Sequence, residues 1–149
     1  PRETIDRAVG YIKQSQNPDG GFAYMLVGGR ESDFPRSAAA LVGLQSAGIY
    51  EGPEMTKGMN YLMQFLPQKG PARRSRNYYL YGHYYAAFAM WQAGGEHWNR
   101  WYPAIRDELI SLQRPDGSWS DSVISPDFDT AMACLILQIP NNYLPIFQR

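Results

Sequence analysis

One short motif occurs twice in this 149-residue chain, and it constrains the fold more than any other feature. Residues 16–22 and 113–119 both read Gln-x-Pro-Asp-Gly-x-aromatic. The shared residues are Gln16, Asp19, Gly20 and Phe22 in the first copy and Gln113, Asp116, Gly117 and Trp119 in the second. Each copy follows an amphipathic stretch, and its proline and glycine favour a turn that ends a helix. A helix-exit turn that recurs with the same chemistry indicates a chain built from similar units.

A second set of segments repeats with nearly the same period. Residues 37–45, 84–92 and 130–138 carry no charge, contain several alanines and end on glutamine, and these glutamines stand 47 and then 46 positions apart. Alanine and leucine favour helix, and an uncharged composition on every side is typical of a buried helix. We therefore predict three inner helices that are buried all round, with Cys134 in the core of the last one.

Charged, amphipathic stretches alternate with these inner segments. They cover residues 4–16, 54–66 and 101–113, and in the first of them Ile5, Ala8 and Ile12 recur on one side. The sequence thus predicts an all-α fold of three αα-hairpins, each with an outer and an inner helix, in repeats of about 1–50, 51–97 and 98–149. In such an array each hairpin buries its apolar face only against its neighbours. The length suits a single domain over 1–149.

The composition narrows the range of partners and cofactors. Fourteen basic and fourteen acidic residues leave no net charge, which argues against nucleic acid as a partner. The two longest uncharged runs contain amides with glycines or prolines, so no transmembrane segment is expected. His83, His97 and Cys134 lack the close spacing of metal ligands, and we expect neither a metal nor a cofactor. A single cysteine leaves the compartment undecided.

The second motif copy resembles the QW motif, Gln-x-x-x-Gly-x-Trp, of squalene and oxidosqualene cyclases and of the wider prenyltransferase/squalene oxidase repeat superfamily. The first copy has Phe22 in place of the tryptophan. The resemblance implies an α/α toroid, in which an outer ring of helices surrounds an inner ring and a central cavity. Three hairpins would form half of that ring, which implies packing against a missing half or a second chain. Because the chain begins at Pro1, and its last residues resemble the end of bacterial proteins of this class, we expect the C-terminal part of a longer protein.

The cyclase resemblance also points to two acidic residues. Those enzymes protonate their substrate with an Asp-x-Asp-Asp-Thr-Ala motif at the start of an inner helix. Asp129 matches the acid before Thr-Ala, but Phe128 stands at the position of the proton donor. Asp127 and Asp129 are the catalytic candidates that remain. Their simpler role is helix capping by Asp129 or its neighbour, with Ser37 capping the equivalent helix in the first unit.

An aromatic stripe on the middle inner helix is the binding candidate. Its residues are Tyr81, Tyr84, Tyr85, Phe88 and Trp91, with His83 among them. At spacings of three, four and seven these rings share helix faces, where they can stabilise a cation, stack on sugars or receive an isoprenoid chain. Ordinary core packing is the alternative for the rings, and a hydrogen-bonded core histidine is the alternative for His83.

The function that these patterns favour is a squalene cyclase/prenyltransferase-like repeat domain without catalysis of its own. It would act as a scaffold or as a binding module with an aromatic-lined inner face, for an apolar, isoprenoid or glycan ligand. One alternative is part of a terpenoid-cyclase-type enzyme whose catalytic acid lies elsewhere. A second alternative is a carbohydrate-binding or carbohydrate-active α/α domain. A fold alone does not identify which of these activities the chain has.

Overall fold

The computed structural model describes residues 2–67, 78–120 and 124–143. Over these ranges the chain forms six α-helices and one short 3₁₀ turn. They are α1 (Arg2–Gln14), α2 (Phe34–Ser46), α3 (Pro53–Met63), α4 (Tyr79–Ala93), α5 (Gly95–Leu112), α6 (Pro126–Gln138) and the 3₁₀ turn Ile139–Asn141. Apart from an isolated bridge between Gln16 and Phe22, regular structure in the described residues is helical. The all-α prediction is therefore confirmed.

Each of the six predicted helices has an observed counterpart, and the largest difference is the start of α5. This helix begins at Gly95, whereas the sequence pattern places its start at residue 101, and it continues through Pro103. The additional turns carry Trp98, whose ring lies 4.9 Å from that of Trp91 on α4. This contact between two helices stabilises a segment that its own composition does not mark as helical.

The chain divides into two compact units, Pro1–Phe65 and Leu66–Arg149. In the first unit, α2 packs against both α1 and α3. Its Ala38, Leu41 and Leu44 are completely buried. Gly58 permits the close approach of α3, since a Cβ atom there would lie 2.6 Å from a methyl carbon of Leu41. The helix α2 thus forms the centre of this unit.

The amphipathic helix α1 is less covered than its pattern suggests. The side chain of Ile5 is 52% exposed, and Ala8 is also exposed. Val9 and Ile12 are partly buried, and no residue of α1 is fully buried. The apolar side of α1 therefore contacts the rest of its unit only toward the C-terminal end.

In the second unit, α4 packs against both α5 and α6. The completely buried side chains of this unit include Ala86, Ala89 and Met90 on α4, Trp101, Ile105 and Leu109 on α5, and Ala133 and Ile136 on α6. The alanines of α4 leave room for the large residues of the flanking helices. This arrangement explains why an uncharged, alanine-rich helix occupies the middle of the unit.

The prediction that all inner helices are buried all round is wrong for α6. Ala131 and Cys134 on this helix are exposed. Only Asp129, Ala133 and Ile136 of α6 are fully buried, which corresponds to one narrow face of the helix. The uncharged segment 130–138 can therefore present one side to solvent, because the small residues Ala131 and Cys134 on that side expose little apolar area.

Candidate functional site

The first copy of the repeated motif forms a closed turn after α1. The side-chain amide of Gln16 donates to the carbonyl oxygen of Gly20 at 3.1 Å. The backbone N–H groups of Asn17 and Gly20 donate to Gly21 O and Asn17 O at 2.8 and 2.9 Å. Asp19 Oδ1 accepts from the Gly21 N–H at 3.0 Å. Gly20 has φ +90°, which an L side chain rarely adopts, so the motif needs glycine at this position.

The second copy forms the same turn after α5. Gln113 Nε2 donates to Gly117 O at 3.0 Å, and the N–H groups of Arg114 and Gly117 donate to Ser118 O and Arg114 O, both at 2.9 Å. Asp116 Oδ1 accepts from both the hydroxyl and the backbone N–H of Ser118, and these bonds hold the pKa of Asp116 below its usual value. Gly117 has φ +86°. Both motif carboxylates therefore stabilise a turn.

A hydroxyl group at the start of the next helix holds the motif aromatic in both copies. The backbone N–H of Phe22 donates to Ser37 Oγ at 2.8 Å, and that of Trp119 donates to Thr130 Oγ1 at 3.1 Å. Ser37 and Thr130 are the first residues of their two predicted inner segments. Both aromatic rings are buried, and the Trp119 indole N–H also donates to Leu109 O at 2.8 Å. Each motif copy thus anchors the chain to the helix that follows it.

The capping roles expected for Ser37 and Asp129 are wrong. The N-cap of α2 is Asp33, and Ser37 is the fourth residue of that helix. The N-cap of α6 is Ser125, whose Oγ accepts from the Phe128 N–H at 3.1 Å. Asp129 is the fourth residue of α6 and is completely buried, whereas Asp127 is exposed. Both acids lie in the first turn, where the helix dipole favours negative charge.

Four tyrosines at the start of α4 form a continuous group, the tyrosine cluster, which consists of Tyr78, Tyr81, Tyr84 and Tyr85. Ring centroids lie 6.5 Å apart for Tyr78 and Tyr81, 4.9 Å for Tyr81 and Tyr85, and 5.1 Å for Tyr84 and Tyr85. All three pairs meet edge to face, a favourable arrangement for aromatic rings. Tyr78 is exposed, and Tyr81 and Tyr84 are half-buried, so the tyrosine cluster is accessible at the surface.

The hydroxyl groups of Tyr81 and Tyr84 resist ionisation. Burial raises the pKa of Tyr81 and of Tyr84 above the ordinary value of 10.0, and the neighbouring Tyr85 raises the pKa of each further. At neutral pH these two residues therefore present uncharged hydroxyls that can donate and accept hydrogen bonds. No Asp, Glu, Lys or Arg occurs in α4 itself. The cluster offers ring surface and hydroxyls on an uncharged helix.

The other residues of the predicted aromatic stripe lie in different surroundings. Phe88 is buried in the core of its unit. His83 is also buried, with ring centroids 4.3 Å from Tyr79 and 5.5 Å from Trp101. Neither side chain is part of the accessible surface of the tyrosine cluster. The stripe seen in the sequence thus combines core residues with surface residues.

Trp91 belongs to a second aromatic group that the sequence pattern did not indicate. Its ring meets Trp98 edge to face, and Trp98 stacks on Tyr102 at 4.7 Å with an interplanar angle of 20°. The Tyr102 hydroxyl donates to Leu137 O at 3.0 Å, which joins α5 to α6. The spacing of four between Trp98 and Tyr102 would have placed both rings on one helix face. The predicted start of α5 at residue 101 left Trp98 outside the helix, so this contact was missed.

The described residues contain neither a grouped metal site nor a membrane-spanning helix. Among them, no three His, Cys, Asp or Glu side chains are placed so that they could hold a metal ion together. None of the helices in the described ranges has the length and apolar character that crossing a membrane requires.

Comparison of the chain with family models, with curated proteins and with solved structures gives no match.

Proposed function

We propose that this chain is a squalene cyclase/prenyltransferase-like repeat domain without catalysis of its own, and that it binds an uncharged ligand through the tyrosine cluster. The observation that carries the proposal is the group of edge-to-face tyrosine rings at the surface of an uncharged helix. Aromatic rings at a surface provide large contact area at low conformational cost, and tyrosine adds a hydrogen-bonding hydroxyl. Such a group suits binding more than support of the core.

The absence of catalysis is supported by residues at the start of α6. The position of the cyclase proton donor is occupied by Phe128, which cannot transfer a proton. Asp127 is exposed to water, whereas a strong acid catalyst needs a partly desolvated carboxyl group. Asp129 is completely buried in the first turn. Neither acid offers a half-exposed carboxyl group that a substrate could reach.

The architecture proposed for the domain is part of an α/α toroid, made of three hairpins with alternating outer and inner helices. Two matching motif turns, each bonded to the hydroxyl that starts the following inner segment, support repeated units. The exposed apolar residues of α1, with Ile5 the clearest, support packing against further helices. In this proposal those helices belong to the rest of the ring or to a second chain.

The test is a binding experiment that reports on individual tyrosine rings. The chain would carry ¹³C-labelled tyrosine, and the ring signals would be followed by NMR during titration with farnesol and with neutral oligosaccharides. We expect signals of Tyr81, Tyr84 and Tyr85 to shift, and the variant Tyr84→Ala to weaken binding. The matched control is Tyr143→Ala, because Tyr143 is 74% exposed and lies outside the tyrosine cluster.

Two results would contradict the proposal. If no probe shifts the signals of the tyrosine cluster, the binding role fails. If the recovered ligand is chemically changed when analysed by mass spectrometry, and the change is lost in Asp127→Asn or Asp129→Asn, the chain is an enzyme and the non-catalytic assignment fails.

A further inference from the structure

The chemistry of the tyrosine cluster narrows the class of ligand, and this inference rests on the binding role proposed above. The rings provide apolar faces and edges, and each ring carries a hydroxyl. The ring centroids of Tyr81 and Tyr85 lie 4.9 Å apart, and those of Tyr84 and Tyr85 lie 5.1 Å apart. The cluster therefore offers hydroxyl groups next to apolar ring surface.

The described residues of this surface offer no charge that could pair with a charged ligand. Tyr78 and the whole of α4 carry neither a basic nor an acidic side chain. A diphosphate or another anion is ordinarily held by arginine or lysine side chains, and neither residue occurs in α4. The ligand that suits this helix is neutral.

A pure hydrocarbon also fits poorly. An isoprenoid chain that covered the cluster would remove the tyrosine hydroxyls from water without offering a hydrogen-bond partner. Each hydroxyl that loses water in this way costs roughly tenfold in affinity. A sugar differs, because its C–H groups can lie against the rings while its own hydroxyls exchange hydrogen bonds with the tyrosines.

We infer that the tyrosine cluster is a binding site for a neutral glycan. The sugar rings would lie along Tyr81, Tyr84 and Tyr85, whose centroids are separated by 4.9 and 5.1 Å. The tyrosine hydroxyls would exchange hydrogen bonds with the sugar hydroxyls. Tyr78, with 54% of its surface exposed, extends the site beyond the start of α4.

The decisive variant is Tyr84→Phe, which keeps the ring and removes the hydroxyl. The probes are hexasaccharides of β-1,4-linked glucose, xylose, mannose and N-acetylglucosamine, with the isoprenoid alcohol farnesol for comparison, and the readout is the ¹³C signal of the tyrosine rings. We expect at least one hexasaccharide to bind, and Tyr84→Phe to weaken it by roughly 3- to 10-fold, the effect of one hydrogen bond. The control Tyr143→Phe should leave affinity unchanged.

Three outcomes would contradict the inference. If farnesol binds at the cluster, the hexasaccharides do not, and Tyr84→Phe binds farnesol as well as the unmodified chain does, the glycan inference is overturned while the binding role stands. If a hexasaccharide binds but neither Tyr84→Phe nor Tyr84→Ala changes its affinity, the glycan site lies elsewhere and the assignment to the cluster is wrong. If neither class of probe shifts the ring signals, both the glycan inference and the binding role fail.

Discussion

The substitution Gly20→Ala tests whether the repeated turn is fixed by its packing as well as by its own conformation. Gly20 has φ +90°, and a Cβ atom there would lie 2.3 Å from the carbonyl oxygen of Lys57 and 3.3 Å from Tyr61 Cβ. Both contacts are with α3, and the first is with backbone, which cannot rotate away. Gly48 in the same unit has φ +86°, and a Cβ atom there would meet nothing within 4 Å, so Gly48→Ala is the matched control.

The two substitutions differ in their expected cost. A left-handed conformation costs an alanine about 1–2 kcal/mol, and this is the whole expected effect of Gly48→Ala. Gly20→Ala adds steric overlap with α3, and overpacking of this kind costs about 1–3 kcal/mol more. We therefore expect a loss of about 2–5 kcal/mol for Gly20→Ala, the sum of these two effects. In a unit of this size 1 kcal/mol corresponds to about 4–8 °C in Tm.

The assay must report on the unit that carries the mutation. All four tryptophans lie between Trp91 and Trp119, so tryptophan fluorescence follows only the second unit. Amide hydrogen exchange of α2, whose Leu41 and Leu44 are completely buried, follows the first unit directly. Urea titration monitored by far-ultraviolet circular dichroism gives the corresponding midpoint for the whole chain.

The comparison between the variants decides the outcome. Equal losses for Gly20→Ala and Gly48→Ala would show that the turn does not press against α3, and the packing explanation would then be abandoned. Gly117→Ala offers an independent comparison in the second motif copy. Gly117 has φ +86°, and the atom nearest to a Cβ placed there would be Gln113 Nε2 at 3.9 Å. Its loss, measured by tryptophan fluorescence, should resemble that of Gly48→Ala.

Three further predictions use other contacts. Ser37→Ala and Thr130→Val each leave the N–H of a buried motif aromatic without its hydroxyl acceptor, so each should destabilise its unit by about 1–3 kcal/mol in urea titration; a loss below about 0.5 kcal/mol for both would remove the anchoring role. Burial raises the pKa of Tyr81 and Tyr84 in the folded state, so these two hydroxyls lose their protons at a higher pH in the folded chain than in the unfolded chain. The free energy of unfolding should therefore fall as the pH rises above about 10. The double variant Tyr81→Phe, Tyr84→Phe should show a shallower fall by tryptophan fluorescence, and an identical slope would count against this cause. Cys134 is exposed, so a thiol reagent should modify it in the native chain as fast as in urea, and protection of the native thiol would contradict its placement.

The order of the helices could be predicted because it depends on local patterns. Amphipathic stretches and uncharged alanine-rich stretches alternate, and a proline-glycine turn follows two of the outer helices. Charge and side-chain size along one helix decide such features, and the observed α1 to α6 follow that order. The role of the motif glycines in the turn could also be predicted, since a turn that needs positive φ selects glycine over other residues.

The candidate site was less predictable. The residues of the predicted aromatic stripe differ in burial. Because α4 packs against both α5 and α6, Phe88 and His83 are buried, while Tyr81 and Tyr84 remain half-exposed. The partnership of Trp91 with Trp98 depends on how α5 lies against α4, and no pattern within either helix gives that information. Periodicity shows which residues share a helix face, but only the packing shows which face is covered.

The sequence by itself determined that this chain is helical, where its helices alternate and which residues close its repeated turn, since propensity, amphipathicity and turn chemistry act over a few neighbouring residues. The tertiary structure decided that Ser37 and Thr130 hold the motif aromatics, and that Asp33 and Ser125 are the N-caps in place of Ser37 and Asp129. It also decided that Asp129 is buried while Cys134 is exposed, and that the tyrosine cluster is accessible. The physical reason is that burial and hydrogen-bond partners depend on contacts between residues far apart in the chain.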